Sequence, residues 1–593
     1  MNEPVASAAG PRGDPRRDVE RLLRPLRDGR PEVLRDLALL AGLALLLLAP
    51  GIGLRDPWPA DEPRFALIAR DMVATGQWLF PQVGGDLYQD KPPVFFWSVA
   101  AGYLLTGTLR IAFLLPSLLA GIGTVLLTYD LGRRVWSRET GLAAALLLAV
   151  SVQFVIQARA AQIDMLLAFL TTASLYGIGR HLLAGPDWRA YAAGGFAAGV
   201  GVITKGTGFL PLLLLLPYFA LRRSGFSGLW RGGGGARWWL APVAALAGIA
   251  LWFVPMVIAV SMSGDPRLAA YRDEILLQQT VTRYASSWSH HEPWYYFLLQ
   301  VIPPLWLPGT LLLPWLVTRW RDAWRVRDGK AWLLLWWILL VVLFFSLSPG
   351  KRGVYVLPAL PAFALAAAPW LAELLAKRGV QRACFALAAL VGFLSAAAWL
   401  YLDVIRPEEM ARLGERYDVS STGPLLLITA GIGIASVLLR PARGAFTWTA
   451  SLAIVVAVQG LWINPMINGS RSGRDFVERV EAAAPADAEL GMLAYREQYL
   501  LYLSRPITNF GHRRVLREGE QEVDDAARWL NAAPGRVLVV DEERRNRCFA
   551  AGAAVALGHA NRSDWFLVSA PADAACAERG DPDAAILYRP YRD

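Results

Sequence analysis

LALLAGLALLLLAPGIGLRDPWPADEPR, residues 37–64, decides how the rest of the chain is read. An apolar run, Leu37–Leu54, is long enough for a first membrane span and leads straight into the polar island Asp61-Glu62-Pro63-Arg64. A second island, Tyr88-Gln89-Asp90-Lys91-Pro92-Pro93, stands before the next long apolar run. Charged residues beside a span are costly to dehydrate and mark function when several converge on one face of the membrane.

The wider composition agrees with a membrane reading. Of 593 residues, 55% are hydrophobic and 18% charged, and the mean hydropathy is +0.35. A soluble chain of this length carries more charge, so the expected class is a mainly α, polytopic membrane protein. The net charge of +10 does not point to nucleic acid, because most arginines sit in short clusters between apolar runs. Residues 1–35 form a basic segment expected on the cytoplasmic side. A cleaved leader is the competing reading, but the basic region is too long and no small-residue cleavage site follows.

Apolar runs of spanning length recur near 37–54, 109–131, 139–158, 165–183, 189–204, 207–221, 237–260, 295–318, 331–348, 354–376, 380–402, 423–439 and 445–465. Val94–Thr106 is apolar but short and follows two prolines, so it is expected to lie at the interface. Arg133-Arg134, Arg180 with Arg189, Arg222-Arg223, Arg319 to Lys330, Lys377-Arg378 and Arg440 with Arg443 then alternate along the chain. Placing each of them inside obeys the positive-inside rule and requires about thirteen transmembrane helices. The transmembrane unit is 36–465, with a first outer loop at 55–108. Residues 466–593 change character and predict a small extracytoplasmic α/β domain, with strands at Arg536–Asp541, Trp565–Val568 and Ala584–Tyr588 and helices at Phe476–Ala484 and Val523–Ala533. Spacing alone leaves open whether Cys548 and Cys576 pair.

With this orientation Asp61, Glu62, Arg64, Asp90, Lys91, Asp164, Lys205, His290, His291, Lys351, Arg352 and Tyr355 all fall on the outer side. Lysine is rare, five in the chain, so Lys91, Lys205 and Lys351 on that face stand out. Each residue also has an ordinary reading. Asp61, Glu62 and Asp164 suit helix N-termini, and Asp90-Lys91 suits a solvated turn. Lys205 suits a side chain snorkelling to the interface, and His290 suits an interfacial belt with Trp294-Tyr295-Tyr296. Their convergence favours a site for a phosphate-bearing, membrane-delivered substrate. Gly201–Gly206 lacks the spacing of a phosphate-binding Walker loop, and no HExxH zinc motif occurs.

Asp61-Glu62-Pro63-Arg64-Phe65 with Ala69-Arg70-Asp71-Met72 resembles the opening motif of the lipid A aminoarabinose transferase (ArnT) family, shared with protein-mannosyltransferase-like glycosyltransferases. Tyr88–Pro92, Thr204-Lys205-Gly206, His290–Tyr296 and Phe344-Phe345-Ser346 through Gly350-Lys351-Arg352 to Tyr355 continue it in order. The resemblance implies a GT-C fold and a periplasmic-face active site in a bacterial inner membrane. It implies transfer of a sugar, such as 4-amino-4-deoxy-L-arabinose, from a polyprenyl-phosphate donor to lipid A or another envelope acceptor. Asp61 and Asp164, with Glu62, are the implied catalytic carboxylates. Lys91, Lys351 and Tyr355, with Arg352, Lys205 and Arg64, are the implied donor-phosphate ligands. A divalent metal, zinc or another, is implied at Asp90 and His290, although the family's usual residue before Lys-Pro is Glu. A transferase acting on protein or another glycan, and a transporter of lipid-linked sugars, are the competing readings.

Overall fold

A backbone in hydrocarbon must satisfy its polar groups within its own segment, which favours helix wherever the sequence is continuously apolar. The computed structural model describes residues 29–277, 291–512 and 519–591. All thirteen apolar runs are helical over most of their length. Among the described residues, seven helices are long and apolar enough to cross a membrane, and up to nine if two bent pairs each make one span. Length and composition alone therefore support fewer spans than charge alternation predicts. Arg30–Leu48 carries charges in its first turns, Trp188–Lys205 is glycine-rich, Thr207–Arg223 begins as a 3₁₀ helix, and Gly423–Leu439 has 17 residues. The two bends have local causes. Pro303, Pro304 and Pro308 interrupt the run that folds as Phe297–Leu305 and Gly309–Arg325, bent by 104°. Arg138–Ala149 and Val152–Ala158 meet at 68° around Val150-Ser151.

Small residues set the closest helix approaches. Gly195 and Gly199, on Trp188–Lys205, face Ala241 and Ala245 on Leu240–Ser263. A Cβ at Gly199 would fall 2.0 Å from the Ala245 carbonyl oxygen. This is the close backbone packing expected where hydrocarbon offers no hydrophobic drive between helices.

The first outer loop contributes helix Glu62–Thr75, a short hairpin of β1 (Gln82–Val83) and β2 (Asp86–Leu87), and helix Val94–Thr106, whose bounds are those expected. The C-terminal region builds a six-stranded sheet from β3 (Glu489–Met492), β4 (Ile507–Asn509), β5 (Arg536–Asp541), β6 (Ala554–Ala560), β7 (Ser563–Ser569) and β8 (Ile586–Tyr588). Its order is β6-β7-β5-β3-β4-β8. β3 runs parallel to β4 and β5, and the other pairs are antiparallel.

Alternation along β5 gives the sheet two buried faces. Leu538 and Val540 pack with Val523, Trp529 and Phe549 on the sheet's own helices. Val537 and Val539 join Leu490, Trp565, Phe65, Phe95 and Phe96 in a core shared with the first outer loop. Cys548 and Cys576 form a disulfide on the first of these faces, with Cα atoms 6.2 Å apart.

Candidate active site

Five chain segments bring polar side chains to one cavity of about 450 Å³. Asp61 stands at the start of Glu62–Thr75, where Pro63 suits the first turn, yet its side chain makes no capping bond. Asp90 and Lys91 come from the loop before Val94–Thr106. Asp164 lies in the first turn of Ile163–Leu183, and Lys205 closes Trp188–Lys205, where Gly206 takes φ +47 to end the helix. Arg352 and Tyr355 open the 3₁₀ helix Gly353–Ala359. Apolar side chains complete the lining, Val202, Ile203, Ile249, Phe253 and Phe345 among them.

The charges are arranged alternately. Lys205 pairs with Asp164 and lies 4.5 Å from the Tyr355 ring centre. Asp61 sits between Arg64, 3.8 Å from one carboxylate oxygen, and Arg352, 3.9 Å from the other. Arg64 Nε donates to Glu497 Oε1 at 2.6 Å, and its guanidinium lies 5.8 Å from the Tyr88 ring. Burial works against the charge on Arg64, but Glu497 and Tyr88 outweigh it and raise its pKa. Tyr88 itself is fully buried, and burial raises its phenol well above the ordinary range. The cavity thus combines a cluster of charges with apolar lining.

The remaining sequence candidates lie elsewhere. Glu62 does not line the cavity; its carboxylate accepts from Arg55 at 2.8 Å, from the Trp58 amide at 3.0 Å and from the Ala161 amide at 3.1 Å. Its place is that of a brace joining the first loop to the 159–162 turn. Lys351 is buried, 4% exposed, and donates to the Glu292 carbonyl at 2.7 Å rather than lining the cavity. Burial lowers its pKa, with Glu292 opposing. With the His291–Gly350 bridge it fastens the loop that carries Arg352. His290 lies outside the described residues. Asp90 lines the cavity, but among the described residues it joins no group of His, Cys, Asp or Glu ligand atoms. The other expected ligand, His290, is outside the described residues, so the pair is not seen together.

Glu497 is the site residue that sequence reasoning missed. It lies 433 positions from Arg64 in an otherwise ordinary stretch, Tyr495-Arg496-Glu497-Gln498, and only the folded sheet brings it there. A second tie lies behind it. The Tyr588 hydroxyl donates to Asp71 at 3.0 Å, and Arg70 donates to Tyr588 at 3.1 Å and to the Leu501 carbonyl at 2.8 Å.

The comparisons with known proteins follow this geometry. The family described as dolichyl-phosphate-mannose-protein mannosyltransferase matches residues 90–262, and the Alg9-like mannosyltransferase family matches residues 286–415. An undecaprenyl phosphate-alpha-4-amino-4-deoxy-L-arabinose arabinosyl transferase of Pseudomonas savastanoi pv. phaseolicola is 31% identical over 384 residues, 63% of this chain and 68% of that protein. The chain belongs to the ArnT-like family of GT-C glycosyltransferases. A protein of the same description from Pseudomonas aeruginosa is 34% identical over 338 residues, which is 54% of this chain but only 58% of that relative's length. The crystal structure of ArnT from Cupriavidus metallidurans bound to undecaprenyl phosphate superposes with a TM-score of 0.71 at 21% identity, covering 91% of this chain and 99% of that one. Its apo form gives 0.69 over 93% of this chain. These two likenesses establish the ArnT-like fold, and with the apolar helices they make this a multi-pass membrane protein.

Proposed function

We propose that this protein transfers a sugar from a polyprenyl-phosphate carrier to an envelope acceptor at the periplasmic face of a bacterial inner membrane. The carrying observation is one cavity whose lining combines Lys91, Lys205, Arg352 and Tyr355 with apolar side chains. Cations there suit a phosphate, and the apolar lining suits the first isoprene units of its chain. The relatives described as undecaprenyl phosphate-alpha-4-amino-4-deoxy-L-arabinose arabinosyl transferases favour that sugar, and the motif resemblance favours lipid A as the acceptor.

The reaction is displacement with inversion at the anomeric carbon. The acceptor oxygen forms the new glycosidic bond as the bond to polyprenyl phosphate breaks, and the electron pair leaves on the phosphate. The growing charge is met by Lys91, Arg352 and Lys205, the last held in place by Asp164. Asp61, held between Arg64 and Arg352, faces the acceptor. A phosphate acceptor attacks without a base, whereas a hydroxyl acceptor gives its proton to Asp61.

A transporter of lipid-linked sugars is disfavoured because transporters gather polar groups at mid-membrane. Here they collect at helix ends and loops. The test is release of free polyprenyl phosphate from sugar-loaded carrier by the purified protein. Release only when an acceptor is present supports the transferase; movement of intact carrier between leaflets without release refutes it. Mass spectrometry of envelope lipids and proteins with and without this chain identifies the acceptor.

A further inference from the structure

The C-terminal sheet region supplies a buried carboxylate that pairs with an arginine of the cavity. Glu497 opens the short helix Glu497–Leu500 and is 8% exposed, and its chain neighbours Tyr495, Tyr499 and Leu500 belong to the core shared with Phe65. Its bond to Arg64 Nε therefore lies away from bulk water, where pairing is strong and an unmatched charge is costly. The same guanidinium reaches towards Asp61, yet stops at 3.8 Å. A closer approach would convert that contact into a full hydrogen-bonded pair and cover the carboxylate oxygen.

We infer that Glu497 is a positioning residue that holds Arg64 back from Asp61 and so keeps the Asp61 carboxylate open to the acceptor. This rests on the transferase reading above. Glu497 touches no reacting atom; its effect passes wholly through Arg64. The C-terminal region is then part of the catalytic apparatus, since the buried partner of a cavity arginine comes from it.

The inference makes the two residues energetically one unit. Full-length wild type, E497Q, E497D, R64Q and the E497Q/R64Q double variant are compared in nanodiscs with sugar-loaded undecaprenyl phosphate and, in parallel, a hydroxyl-bearing and a phosphate-bearing lipid acceptor, the kcat effects being read with the hydroxyl acceptor that needs Asp61. E497Q is expected to lower kcat by roughly ten- to a hundredfold, the scale of a misplaced catalytic group, with the donor KM changed less than about twofold. E497D keeps the charge and recovers part of the loss. The double variant is no slower than R64Q alone. Multiplicative losses in the double variant, a wild-type kcat in E497Q, or a kcat loss matched by an equal collapse of thermal stability in both E497Q and E497D would each overturn the inference. Absence of turnover by wild type would instead overturn the transferase reading, and this inference with it.

Discussion

Lys91 and Asp61 make opposite demands on the same cavity, and their substitution separates the two halves of the reaction. In the proposed reaction, removing the Lys91 ammonium takes away charge stabilisation at the leaving phosphate. K91A is expected to lower turnover about 100- to 1,000-fold while its thermal midpoint stays near wild type. Asp61 matters in proportion to how much proton removal the acceptor needs. D61N should therefore slow transfer to a hydroxyl acceptor by about 100-fold and spare transfer to a phosphate acceptor, as measured by parallel assays with the two acceptor classes. Much of this site was legible in the sequence, because rare lysines and out-of-place carboxylates announce themselves in an apolar chain. Glu62 and Lys351 announced themselves equally, but their side chains turn to Arg55 and to the Glu292 carbonyl. Glu497 was not legible, for nothing in its neighbours distinguishes a buried partner of Arg64 from a surface glutamate.

Helix Trp188–Lys205 delivers Lys205 only because its glycines let Leu240–Ser263 approach so closely. The Cβ of any residue at Gly199 would collide with the Ala245 carbonyl, so G199V must push the two helices apart. A loss of about 1–3 kcal/mol is expected, seen as a lower thermal midpoint, together with weaker activity as Lys205 shifts from Asp164. Element identity was easier to read than element shape. Apolar runs announced thirteen helical segments, whereas the 104° bend depends on where three prolines fall within one of them. The strands divide in the same manner. β5 and β7 are apolar, well-bounded runs and were foreseen, as was β8. β3 contains Gly491 and has four residues, β4 has three, and β6 is Ala-rich with an irregularity between Ala556 and Gly558. Those three lack the pattern that periodicity can detect.

At the scale of the whole molecule, the sheet region carries its own response to pH. Glu522 is fully buried, and its Oε1 accepts from the Ala494 amide at 2.8 Å while Oε2 has no hydrogen-bond partner among the described residues. Burial raises its carboxyl from 4.5 to about 7, against the pull of that amide and of Arg544. Between those values the folded protein holds a proton that the unfolded chain has shed. This contribution to stability is complete below pH 4.5 and diminishes as pH rises to about 7. The thermal midpoint of E522Q, measured relative to wild type, should therefore climb across that window and level off above it.

The core common to Phe65, Phe95, Leu490 and Trp565 also dictates an order of events during synthesis. Helix Glu62–Thr75 leaves the ribosome early, but the strands that cover it are made some four hundred residues later. Until they arrive, the apolar side chains of the first outer loop, Phe65 and Phe95 among them, lack the partners that bury them. Chains arrested before β5 should expose that loop to protease, and its protection should appear abruptly once Trp565 has been translated.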